Sequence, residues 1–392
     1  MTEHRQSLVV NISLSGPGRD YDQSVEFLGG AFRIVRVGTG GSVKRAIDEL
    51  RKWSGRAAAI GVSGVHDAQV AGTLKGNPRS LREAADASTG AVVTDGHRLR
   101  NVLQEWIIRQ LDGEMPGYFA NARVVVLGGR NHYRSTRVLS ESTQNLRFAD
   151  PAVEYGLDDI HSPFAMFERF VSASGWLLER FPSSMVSAAT APGRKIIESK
   201  VRQALQDCDV VVATFEELAQ FELDDLKGKT LISTSIDEER LNSLRERGID
   251  LILDDVPQPF EGVVVNEATL EALMLVAGQA EESRLTDDDL LDMIQSAELQ
   301  PRILYPSGFK RRSRFAFVIH PLSQEYFRNM KPLDAVAGVA PGMFMDGVEK
   351  LMAHAPPFVY SHVTGITSPT GAEVEGWLIT VGGTPKELMA HD

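Results

Sequence analysis

Residues 122–150 read ARVVVLGGRNHYRSTRVLSESTQNLRFAD, and the rest of the chain is organised around them. Arg123–Leu127 is a short apolar run ended by Gly128 and Gly129, the pattern of a buried strand entering a tight turn. A helix follows through Ser142, with Ser135 or Thr136 as its capping residue. Asn145–Ala149 then reads as a second strand closed by Asp150 and Pro151. Strand, glycine turn, helix, strand and acid, in that order, open a dinucleotide-binding βαβ unit. Its N–H groups and helix N-terminus face a pyrophosphate, and its carboxylate faces the ribose hydroxyls.

On that reading Gly128, Gly129 and Arg130 face phosphates, with Ser135 in the same set, and Asp150 takes the ribose. The expected cofactor is NAD or NADP. Asp150 favours NAD by repelling a 2′-phosphate, and Arg130 or Arg134 offsets that preference. The fingerprint is incomplete. From Gly128 the chain reads G-G-R-N-H-Y rather than G-x-G-x-x-G, and Tyr133 stands where a third glycine allows close helix–strand packing. Asp150 lies 22 positions past Gly128, near the ~20-residue spacing of a ribose-binding acid. The simpler alternative is a doubly wound domain whose glycine pair only turns the chain.

Composition narrows the class. A chain of 392 residues with 43% hydrophobic and 24% charged residues carries a sizeable core and two or three domains. A formal charge of −12 argues against a nucleic-acid footprint, which needs a concentrated basic face. One cysteine excludes an internal disulfide and a cysteine-rich zinc site, and no metal site is expected. It also fits a reducing cytoplasm. No apolar run approaches the ~18 residues of a membrane span. A cytoplasmic protein is the expectation.

Before the central stretch, residues 7–14 and 32–37 read as strands. Gly38-Thr-Gly-Gly41 then leads through Ser42, as a cap, into an amphipathic helix with Val43, Ile47 and Leu50 on one face. Residues 57–62 and 91–94 give two further strands. The GTGG turn suits an anion, though a plain strand–helix turn is the simpler reading. At the carboxyl ends of these strands lie His66 with Asp67, and Asp95 with His97, where ligands gather in open α/β sheets. His97, Asp95 and His66 are the candidates for proton transfer beside a hydride step.

After Asp150 an aromatic helical segment, 164–181, roofs a cleft or simply packs. Residues 209–214, 229–234, 250–253 and 262–266 supply four more strands, so about six follow Arg123, enough for one doubly wound sheet. Helix 267–277 closes that sheet. Cys208 precedes a strand, at the edge opposite the ligand edge, and reads as a structural thiol. Residues 281–313 form a linker, including the basic run 310–312. The last 80 residues are dense in Gly, Ser, Thr and Pro; their hydroxyls and carboxylates either line a site or shape turns. The fold class expected is α/β: an N-terminal α/β domain over 1–118, a doubly wound Rossmann-like domain over 119–280, and a smaller α+β segment over 314–392.

Two resemblances cover different parts. With SLVVNISL, EFLGGAFRIVRVGTGGSVKRAI, AAAIGVSGV, VVTDGHRLRNVLQEWIIRQL and RERGIDLILDDVP, residues 7–277 resemble the quinate 5-dehydrogenase-like dehydrogenases. That resemblance implies a nicotinamide-linked oxidoreductase. With FAFVIHPLSQEYFRNM, APPFV and VTGITSPTGAEVEGWLI, residues 314–390 resemble the N-terminal, acyl-substrate region of the fatty-aldehyde-forming acyl-carrier-protein reductases and related amino-acid dehydrogenases. His320, Ser323, Thr364, Ser368, Thr370, Glu373 and Glu375 are the substrate-binding candidates there. In that family a reactive cysteine and a complete glycine-rich NADPH domain follow, whereas this chain ends at Asp392. Acyl reduction needs a thiolate and a hydride donor.

The leading expectation is therefore an NAD(P)-linked oxidoreductase, or one half of a split acyl-thioester reductase whose partner subunit brings the cysteine and the intact dinucleotide loop. The alternatives are a dehydrogenase of a small hydroxylated carboxylate and a non-catalytic, partner-binding subunit.

Overall fold

The computed structural model describes residues 6–150, 164–180, 194–221, 223–279, 286–306, 359–367 and 373–380. The chain divides into two compact units, Met1–Ser307 and Gly308–Asp392. In the first, two α/β lobes each carry a parallel-rich sheet, which agrees with the α/β expectation.

The first sheet has the order β2-β3-β1-β4-β5. Its strands are β1 (Ser7–Ser13), β2 (Tyr21–Phe27), β3 (Gly30–Gly38), β4 (Ala59–Ser63) and β5 (Val92–Thr94). β1, β3, β4 and β5 are parallel. β1 and β4 are nearly continuous in buried residues because helices cover both faces. β2 runs antiparallel to β3 and is absent from the sequence reading. Its hairpin turns at Leu28 (φ 47°) and Gly29 (φ 73°), so the usual Asn-Gly or Asp-Gly signal is masked by a leucine in the left-handed region.

α1 (Val43–Ser54) starts where expected, with the Ser42 hydroxyl accepting from Arg45 N at 3.3 Å. The glycines before it serve a turn rather than an anion. Thr39 N donates to Ser13 O and Gly40 N to Ser15 O, and a Cβ on Gly41 (φ +80°) would lie 2.0 Å from the Thr73 carbonyl oxygen. Short α2 (Val65–Val70) and α3 (Pro78–Asp86) precede β5.

The second sheet has the order β11-β10-β9-β8-β6-β7. β6 (Val124–Val126), β7 (Leu146–Phe148), β8 (Val210–Val212), β9 (Thr230–Ser233) and β10 (Leu251–Asp254) are parallel, and β11 (Arg302–Leu304) adds an antiparallel edge. Residues 262–266 form no strand; the sixth place goes to β11. The helices are α5 (Tyr133–Ser142), α6 (Phe164–Arg180), α7 (Arg194–Asp207), α8 (Phe215–Ala219) and α9 (Glu238–Glu246).

Two helices correct the domain reading. α4 (His97–Glu114) puts Leu99 and Leu103 into the core of the first lobe and Ile107, Ile108 and Leu111 into that of the second. α10 (Glu267–Ala277) does not close the second sheet. It crosses back, and Leu270, Leu273 and Met274 join the first core. Asn266 caps it, accepting from Thr269 N at 3.0 Å and from Asn11 Nδ2 of β1 at 3.2 Å. α11 (Asp287–Ser296) buries Leu290 and Ile294 in the same core, so the stretch read as a linker carries a core helix and the edge strand β11.

The second unit is described over β12 (Val359–Thr367) and β13 (Glu373–Thr380), an antiparallel pair with a register shift between Val363 and Ile366. The strand read at 314–319 and the basic run 310–312 lie outside the described residues.

A Cβ at Gly61 of β4 would stand 2.7 Å from the Ala268 carbonyl oxygen of α10. Gly61→Ala is therefore expected to cost about 1–3 kcal/mol, while Gly55→Ala, which meets nothing within 4 Å, stays near neutral. Urea unfolding of the two variants checks the docking of α10.

Candidate functional site

The carboxyl ends of the two sheets face one another across the junction of the lobes, and charged side chains from both meet there. After β8, Thr214 and Glu217 form a capping box. Glu217 N donates to Thr214 Oγ1 at 3.2 Å, and Glu217 Oε2 accepts from Thr214 N at 2.7 Å. That geometry fixes α8 and aims the other carboxylate oxygen at α2 of the first lobe, where His66 Nε2 lies 2.6 Å away. His132 Nε2, from the turn after β6, stands 3.6 Å from Glu217 Oε2, an ion-pair rather than a hydrogen-bond distance.

Glu217 is 1% exposed. Burial pushes its carboxyl up, but His132 and His66 outweigh it and hold the group well below its ordinary range. Beside it Asp67 is pushed up to about 7 by burial and by the Glu216 charge, against the pull of His66 and Arg240.

A second cluster joins the strand ends of β5 and β10. His97 Nδ1 lies 2.9 Å from Asp95 Oδ1, and both side chains are more than half exposed. Burial raises Asp95, and the His97 hydrogen bonds with the Arg100 charge more than reverse it. Arg100 pairs with Glu267 of α10 at 2.6 Å. Asp255, fully buried, is raised well above its ordinary value by burial and by the neighbouring Asp254 and Glu267. The three proton-transfer candidates are thus split between two clusters: Asp95 and His97 form a pair, and His66 belongs to Glu217.

The glycine turn after β6 is built for interior packing. A Cβ on Gly128 would lie 1.8 Å from Glu217 Oε1, and one on Gly129 would lie 2.5 Å from the Phe167 ring and 3.1 Å from Asp150 Oδ2. Phe167 of α6 stacks on Phe148 with centroids 4.2 Å apart, so α6 packs here. Neither Ser135 nor Thr136 caps α5. His132 holds the cap position, and Gln104 of α4 substitutes for a capping side chain, accepting from Ser135 N at 3.4 Å and donating to Asn131 O at 2.8 Å. Arg134 is engaged by Glu105, Nε to Oε2 at 2.6 Å. Asp150 is fully buried. Cys208 is the structural thiol expected: it is buried, Sγ donates to Leu205 O, and burial pushes it up to about 11.

Of the C-terminal candidates, Thr364 lies on β12, and Glu373 and Glu375 lie on β13. His320, Ser323, Ser368 and Thr370 lie outside the described residues. Among the described residues no group of three or more His, Cys, Asp or Glu is placed to hold a metal ion, and no helix is long and apolar enough to cross a membrane.

Residues 98–306, more than half of the chain, match the family described as Domain of unknown function (DUF8754), and the chain belongs to that family. Residues 8–95 match a second, Domain of unknown function (DUF8753). The boundary falls between β5 and the body of α4. No curated protein matches the chain.

Three solved structures are similar to it. One is a carbohydrate transporter solute-binding protein from Agrobacterium Radiobacter in complex with D-arabinose, at 12% identity over 74% of this chain and 99% of that one, TM-score 0.31. Another is a glucose-galactose binding protein from Geobacillus stearothermophilus, at 10% identity over 78% and 99%, TM-score 0.31. The third is a sugar-binding protein of a sugar ABC transporter from Bacillus halodurans, at 12% identity over 64% and 82%, TM-score 0.29.

The oxidoreductase reading, with the dehydrogenase and split-reductase activities attached to it, is corrected. In the chain itself, the space over Gly128 and Gly129 that a pyrophosphate would take holds the Glu217 carboxylate and the Phe167 ring. A carboxylate there repels phosphate.

The pH dependence of stability follows from the junction. Glu217 is depressed, so its stabilisation is complete above the ordinary value of 4.5 and is lost as pH falls below it. Glu217→Gln is expected to cost about 3 kcal/mol at pH 7 and to flatten the acid limb of stability measured by urea unfolding between pH 3 and 7. Asp67 is raised, so its contribution is complete below 3.8 and declines as pH rises to about 7. Asp67→Asn is expected to remove that decline, as followed by melting temperature across the same range.

Proposed function

We propose that the chain is a non-catalytic binding protein that takes a small polar ligand at the junction of its two α/β lobes. The observation that supports this reading most is that the strand ends of two separate sheets meet there, joined by the 2.6 Å contact between His66 and Glu217. Strand ends of open α/β sheets and the spaces between lobes are where such folds hold ligands. The polar groups there engage one another: Glu217 serves a cap and two imidazoles, and Arg100 serves Glu267. That is an arrangement for holding lobes together.

The test is a thermal-shift and calorimetric screen of the full chain against sugars, polyols, amino acids, inorganic phosphate, NADH and NADPH. Saturable binding of an uncharged or zwitterionic small molecule, with no binding of either nucleotide at millimolar concentration, is the expected outcome. Tight NADH or NADPH binding, or no binding by any compound, overturns the reading.

A further inference from the structure

A cleft of about 330 Å³ opens between the lobes beside the His66–Glu217 contact. Arg19 and Ala71 of the first lobe and Phe215, Glu216, Gln220 and Arg240 of the second line it. We infer that this cleft is the ligand site and that its ligand is an uncharged, polyhydroxylated single ring; the inference rests on the binding-protein reading above.

Charge decides the class. The two guanidinium groups are already matched by two carboxylates: Arg19 Nη2 lies 2.7 Å from Asp237 Oδ2, and Arg240 pairs with Glu216. With no surplus cation among the described residues of the lining, and with the Glu217 carboxylate beside it, a phosphate or carboxylate ligand gains no counter-charge and meets repulsion. A neutral ligand meets none.

Shape and hydrogen bonding narrow it further. Phe215 and Ala71 give the cleft apolar surface, and the Arg240 guanidinium sits 5.3 Å from the Phe215 ring centre, held over it by a cation–π contact. Arg240 is only 7% exposed, and its Nε–H has no acceptor, the nearest Asp237 oxygen being 4.0 Å away. Its Nη1 donates to Ser235 O at 3.1 Å, so the guanidinium is fixed in place with one donor unused. Held by Ser235, Glu216 and Phe215, the Arg240 side chain forms a fixed wall of the cleft. Gln220, anchored by donating to Val70 O at 3.2 Å, holds its amide at the rim. A ring with C–H faces for Phe215 and hydroxyls for Glu216 and Gln220 satisfies the lining. The volume, at the small end of ligand sites, suits one ring rather than two.

The experiment is isothermal calorimetry of the full chain with D-galactose, D-arabinose, myo-inositol and inorganic phosphate, repeated with Arg240→Gln, Phe215→Ala and Ala71→Trp. Ala71 is exposed, so its replacement fills the cleft without touching the core. The expected result is saturable binding of at least one neutral ring and none of phosphate. All three variants weaken it by at least tenfold while the melting temperature of Ala71→Trp stays at the wild-type value. Binding of a neutral ring that Ala71→Trp leaves unchanged overturns the cleft but not the binding-protein reading. Preference for phosphate, or a ligand from the wider screen that is charged or acyclic, overturns the ligand class. Absence of binding by every compound overturns both.

Discussion

Everything at the junction depends on burying the Glu217 carboxylate. Taking an ion of that size out of water costs several kcal/mol even after relaxation, and four groups converge to offset it. The Thr214 N–H and the His66 imidazole supply hydrogen bonds, the His132 imidazole stands within ion-pair reach, and Gly128 supplies room. Each partner then constrains its own element. α8 starts at Phe215 because the capping box sets it there, and α2 lies against α8 because His66 reaches across. A Cβ at position 128 would collide with the Glu217 carboxylate, so any other residue there has to displace it.

That last constraint explains why the sequence pointed to a nucleotide. A glycine pair after a central strand fits close approach by any anion, and local pattern does not distinguish a pyrophosphate from a carboxylate supplied by the chain's own next strand–helix turn. Tyr133 in place of the third glycine was the legible departure. Its ring packs against Phe164 of α6 with centroids 5.8 Å apart. Glu217 itself was legible only as part of Thr-Phe-Glu-Glu, a capping signature whose second use no sequence pattern announces.

Most strands could be read directly because central parallel strands, covered on both faces, appear as unbroken runs such as Val124–Val126 and Val210–Val212. His66 and His97 follow the carboxyl ends of β4 and β5, the places read for them from the sequence. The lobe to which a helix belongs was not legible. EATLEALMLVA is apolar around most of its surface and buries eight residues, so it suits either sheet. The choice is made by groups far away in sequence: Asn11 on β1 caught by the Asn266 cap, and Gly61 on β4 clearing the Ala268 carbonyl. α4 misled for the same reason, one uninterrupted amphipathic pattern serving two cores in succession.

The two kinds of linkage between the lobes differ in a way that bears on function. α4 joins them through buried apolar surface, Leu99 and Leu103 at one end and Ile107, Ile108 and Leu111 at the other, and opening that contact exposes hydrocarbon to water at ~25 cal/mol per Å². The junction joins them through ion pairs and hydrogen bonds: His66 with Glu217, Arg19 with Asp237, and Gln220 with the Val70 carbonyl. These exchange for water with little net change where they are solvated, as at Arg19. Glu217 keeps Thr214 and His132 within its own lobe even when His66 leaves. Parting the lobes at α4 therefore exposes hydrocarbon, whereas parting them at the junction exchanges polar contacts for water.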